Sequence, residues 1–181
     1  MGWTTPPTFA TNDVITAANL NTYIRDNQNF LKWIFVRQTE EETIISSTTF
    51  INLTGMKFPV LSGETWVFIA TIFLDAIGTA DVKFKATIIP RDPTETAATT
   101  TTSRCGVSTG NGLLAAGGCS GAIDDSLSVA TTDVPETAVV TGSFTAAVDG
   151  DLQIMAAQNT SIATTSTYFQ TSSMIALRLS A

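Results

Sequence analysis

Residues 65–74 read Thr-Trp-Val-Phe-Ile-Ala-Thr-Ile-Phe-Leu (TWVFIATIFL), the most apolar run of the chain. The run is too short to cross a membrane as a helix, and it is built largely from β-branched and aromatic residues, which fit a pleated sheet. Ser62-Gly63-Glu64 turns the chain into it and Gly78-Thr79-Ala80 leads away from it. It reads as a central strand.

Its neighbours carry the same signal. Downstream, in Asp81–Pro90 (DVKFKATIIP), Val82, Phe84, Ala86 and Ile88 alternate with Lys83, Lys85 and Thr87, so one face is buried and the other wet. Upstream lie Thr43–Leu53 (TIISSTTFINL) and Met56–Leu61 (MKFPVL), separated by Thr54-Gly55. Strand patterns return at Thr137–Val148, Asp151–Ala157, Thr165–Gln170 and Ser173–Leu179, and Asp149-Gly150 predicts a hairpin turn between the first two. Short strands at this spacing, with no helix between them, predict a mainly β fold: an antiparallel β-sandwich of jelly-roll type over residues 43–181. Between the two groups, Arg91–Thr102 (RDPTETAATTTT) is low in complexity and 103–123 is Gly-rich. Such long excursions serve as functional surfaces or assembly contacts.

Before the sandwich stands the one helical pattern, Thr16–Phe35 (TAANLNTYIRDNQNFLKWIF), with its segment taken as 16–36. The Thr16 hydroxyl can cap the first turn. Leu20, Ile24, Leu31 and Ile34 form a short heptad seam with Asn27 at its centre, and Tyr23, Phe30 and Trp33 widen the apolar face. The helix can pack on its own domain or join copies of the chain, a trimer being the expected assembly. In the second case Asn27 would fix register at some cost in stability. Residues 1–15 predict an extended arm stiffened by Pro6 and Pro7. Its Trp3, Phe9, Val14 and Ile15 are too apolar for a free tail, so the arm either folds back or docks on a neighbour.

Composition narrows the function classes. Charged residues make up only 14 % of the 181 positions, against about a quarter in ordinary globular domains. A surface that poor in charge is weakly protected against association. The net charge of −7 argues against binding nucleic acid. No apolar run is long enough to span a membrane. The opening MGWTTPPTFATND lacks the basic and apolar regions of a signal peptide, which leads us to expect synthesis in a cytoplasm.

Residues able to do chemistry are scarce. There is no His, so neither a His-based triad nor the usual general base is available. Asp124-Asp125 and the pair Asp149 and Asp151 adjoin Gly or Ser and read as turn residues before calcium ligands. The Gly-rich stretches lack the Lys of a phosphate loop. Trp66 and Tyr168 could stack on a sugar, but strand aromatics usually fill a core. Cys105 and Cys119 flank a Gly-rich segment. A disulfide between them would contribute about 3 kcal/mol, whereas a reducing cytoplasm favours two free thiols. We expect no catalytic residues, no cofactor and no metal.

Both ends of the chain resemble a known group. Trp3-Thr4-Thr5-Pro6, then Val14-Ile15-Thr16-Ala17-Ala18-Asn19-Leu20-Asn21 and Arg25-Asp26-Asn27, resemble the opening of many tailed-phage virion proteins. Gly150-Asp151-Leu152-Gln153, Ala157-Gln158-Asn159-Thr160-Ser161 and the closing Ser173, Ile175 and Leu179 resemble the last hairpin of that group. Gly55-Met56-Lys57-Phe58 and Ser62-Gly63-Glu64-Thr65-Trp66 fit its sandwich. The resemblance implies a structural part of a virion: a homotrimer whose partners are itself and the major capsid protein or other virion proteins. Short and acidic, with no long shaft, the chain suits capsid decoration. The alternative is a tail-fibre or tail-appendage protein that grips a host-surface glycan through 91–123.

Overall fold

A computed structural model describes residues 8, 10, 11, 13–25, 32–76, 81–95, 104–109, 127–129 and 135–180. The strands are β1 (Trp33–Arg37), β2 (Glu42–Ile45), β3 (Ile51–Val60), β4 (Thr65–Ala76), β5 (Val82–Pro90) and β6 (Arg104–Thr109), followed by β7 (Leu127–Val129), β8 (Glu136–Thr145), β9 (Gly150–Gln158), β10 (Thr165–Tyr168) and β11 (Ser173–Ser180). Their pairing is nested and antiparallel: β1 and β2 lie on β11 and β10, β3 on β9, β4 on β8 and β5 on β7. A two-stranded ribbon rolled up in this way is a jelly roll. Rolling places β6, β8, β4, β10/β11 and β1/β2 in a seven-stranded sheet, and β3, β9, β5 and β7 in a four-stranded one.

The strand that decides the fold is β4, the expected central strand, with neighbours on both edges. Along it Trp66, Phe68, Ala70, Ile72, Leu74 and Ala76 are buried, and every residue between them is not. These side chains meet Phe58 and Val60 from β3, Phe84 and Ile88 from β5, and Leu152 and Ile154 from β9 in one core. Phe58 and Trp66 lie with ring centroids 4.9 Å apart, and Phe84 meets Tyr168 edge-on at 6.0 Å. Both geometries are favourable for aromatic quadrupoles. Trp66 and Tyr168 are fully buried and serve the core, so neither is placed to stack on a sugar.

The structure departs from the sequence-based expectations at several places, and the expected strand Thr43–Leu53 is broken between Ile45 and Ile51. The helical segment is shorter: an α-helical turn α1 (Ala17–Leu20) runs into a π-helical turn at Asn21–Arg25. The capping box is present, the Asn19 N–H donating to the Thr16 hydroxyl at 3.2 Å. Expected helical residues Trp33, Ile34 and Phe35 instead belong to β1, paired with Leu177, Ala176 and Ile175. Trp-Ile-Phe-Val is β-branched and aromatic throughout, and a ladder to β11 is worth more to it than another helical turn. Ile34 packs against the sandwich core and is therefore not part of a helix seam.

Asp149-Gly150 is also not a hairpin, because β8 and β9 lie in different sheets. It is a crossover that ties loops together: Asp149 Oδ1 accepts from the Ser62 N–H at 2.8 Å and its carbonyl from the Arg91 N–H at 3.0 Å. Finally, Thr54-Gly55 does not separate two strands. It forms a bulge inside β3, where the register to β9 shifts between Asn52 and Lys57.

Candidate interaction surface

Polar residues of the motifs quoted from the middle and the end of the sequence sit at structural joints. Gln153 is buried beside the β3 bulge, its Nε2 3.1 Å from the Leu53 carbonyl and 3.3 Å from that of Met56. A bulge frees backbone carbonyls, and this side chain occupies two of them. Gln158 does the same for the loop after β2: its Oε1 accepts from the Ser47 N–H and its Nε2 donates to the Thr164 carbonyl. Glu64 accepts from the Leu61 N–H, from Trp66 Nε1 at 3.1 Å and from Arg178 at 2.7 Å. Burial pushes its carboxyl up, but these hydrogen bonds and the Arg178 charge outweigh that and hold it below the ordinary value. Each of these polar groups holds chain to chain.

Carboxylates follow the same pattern. Asp149 is engaged at its crossover and Asp151 pairs with Lys57 at 3.3 Å. Among the described residues no group of three or more His, Cys, Asp or Glu is placed to hold a metal. Trp3, Pro6, Pro7, Phe9, Asn27, Leu31, Cys119 and Asp124-Asp125 lie outside the described residues, as does the Cys105 side chain, so the arm, the seam centre and the disulfide expectation rest on the sequence alone. No described helix is long and apolar enough to cross a membrane.

The outward faces of the two sheets differ. On the four-stranded sheet, Lys83 and Lys85 stand 5.0 and 5.1 Å from the centre of the Phe50 ring. That face is wet and partly basic. On the seven-stranded sheet the register aligns apolar rows instead. Trp33 faces Leu177, which faces Val67. Phe35 faces Ile175, which faces Ile69. Trp33 is 67 % exposed, Phe35 66 %, Ile69 56 % and Ile175 46 %. A groove of about 320 Å³ runs among Trp33, Val67, Ile69, Ile175 and Leu177, with Thr71 and Ser173 as its polar members. On β1, β4 and β11 the outward positions carry only two charges, Arg37 beside Ser173 and Asp75 near the end of β4.

Leu20 and Ile24, the described seam residues of the helical segment, are about half exposed, and Val14 and Ile15 before them are exposed as well. Sequence reasoning selected these two but missed the sheet face. The signal was present in β4, whose Val67, Ile69 and Phe73 are apolar where an outward position should be polar. No family description matches the chain, and no curated protein does.

Proposed function

We propose that this chain is a structural, self-assembling component of a tailed-phage virion, most simply a trimeric capsid decoration protein. The observation that carries the reading is the apolar surface a single copy leaves in water: Leu20 and Ile24 before the sandwich, and the Trp33, Phe35, Ile69 and Ile175 rows on it. Burying such a side chain contributes about 1.5–3 kcal/mol, so copies that cover it gain stability together. The ordered motifs at both ends support the virion assignment, and the polar motif residues act as joints of the sandwich.

A tail appendage that binds a host glycan is the second reading, favoured by the exposed rings of Trp33 and Phe35. Sugar recognition needs polar groups around the stacking ring, and this groove offers mainly Thr71 and Ser173. Decoration is therefore preferred. The test is immunogold labelling of purified particles together with the absolute mass of the free protein. Decoration predicts regular labelling over the head and a mass of three times 19.1 kDa. Labelling confined to the tail would replace it with the appendage reading.

A further inference from the structure

We infer that the outward face of the seven-stranded sheet is where copies of this chain meet one another. The inference rests on the self-assembly proposed above and names its surface.

Three observations support it. First, β4 carries apolar residues on both faces, although the described residues of its own chain cover only one. Antiparallel strands with one face in water alternate apolar and polar, as β5 does with Lys83, Lys85 and Thr87. Strands buried on both faces read as continuous apolar runs, and Thr65–Leu74 reads that way. The second observation concerns charge. A copy brings its own −7 to the contact, so copies repel unless the meeting surfaces are neutral. Over β1, β4 and β11 the outward positions of this face lack charge, with Arg37 and Asp75 at their margins. A basic partner would find its complement in the acidic surface elsewhere, and an acidic one beside Lys83 and Lys85. The third is size. Three strands about 4.8 Å apart, over seven residues of about 3.3 Å each, make a projected area near 330 Å². That lies within the range of the largest apolar patch on a monomer, a patch that is often functional. Interfaces between identical copies are also the more apolar kind.

The experiment is sedimentation velocity of the full chain across concentration, with three variants. Ile69→Asp with Ile175→Asp places two charges in the central row and should leave a monomer whose circular dichroism matches the parent. Ile89→Asp alters an exposed apolar residue of the other sheet and should leave the assembly intact. Ile69→Thr with Ile175→Thr keeps β-branched residues and guards against a folding failure. It should weaken association at least tenfold, the equivalent of about 1.4 kcal/mol. A parent that is an oligomer, with the Asp and Thr variants equally oligomeric, overturns the assignment while leaving self-assembly standing. A parent that is monomeric at every concentration overturns both, and the particle-labelling result then decides the virion reading separately.

Discussion

Glu64 gathers three elements at one end of the sandwich: the turn before β4, Trp66 within it and Arg178 on β11. The carboxylate and guanidinium are both largely buried, so removing one partner strands the other charge. Arg178→Met should cost about 3–5 kcal/mol, read as a lower urea midpoint at pH 7. The same site predicts an acid response. Folded Glu64 gives up its proton more readily than an ordinary glutamate near 4.5. Its stabilisation is therefore complete above that ordinary value and is lost as pH falls through the lower folded one. Glu64→Gln should flatten that part of the stability curve, and an unchanged acid limb in the mutant would exclude Glu64 as its source. Tyr168 poses the opposite case. Its hydroxyl is buried with no hydrogen-bond partner among the described residues, and burial pushes its pKa up. Removing an unpaired buried hydroxyl returns its desolvation cost, about 1 kcal/mol. Tyr168→Phe should therefore raise the melting temperature by about 2–4 °C.

At the scale of elements, the β3 bulge depends on one backbone angle. Gly55 has φ +87°, and a Cβ there would stand 2.5 Å from the Arg37 carbonyl. Gly55→Ala should cost at least about 2 kcal/mol through strain and clash, with guanidinium unfolding as the readout. It should also loosen the Gln153 contacts, visible as faster exchange of backbone amides flanking the bulge. The strands were legible wherever alternation or β-branched runs stood between turn residues, as in β4, β5, β9 and β11. The end of the helical segment was not. Leu31 and Ile34 continue a heptad by spacing, yet residues 33–37 gain a complete ladder from β11, a partner far away in sequence. Crossovers were hidden for the same reason: Asp149-Gly150 has hairpin chemistry, but the strands that it joins pair elsewhere. Local pattern reports what a segment can do, whereas distant pairing decides between its options.

For the whole molecule, the surface was half legible. The period of Leu20 and Ile24 marked them as an apolar stripe, and both are about half exposed, but the sheet face required the register that brings Phe35, Ile175 and Ile69 into one row. Double replacement of Leu20 and Ile24 by Ser should leave the unfolding free energy of an isolated chain within about 1 kcal/mol of the parent, read by urea titration, because both are already exposed. If they also contribute to the contact between copies, the same change should lower the assembly's mass at low concentration.

The nested pairing carries a further consequence, for biosynthesis. β1 is among the first strands to be translated and β11 the last, yet they lie side by side. The first strand must wait for its ladder until β11 has been made, and contacts this distant in sequence make folding slow. The Phe35–Ile175–Ile69 row draws on both ends and the middle of the chain. A chain that lacks β11 has no such row to offer, so on the reading proposed above it would be unable to join other copies.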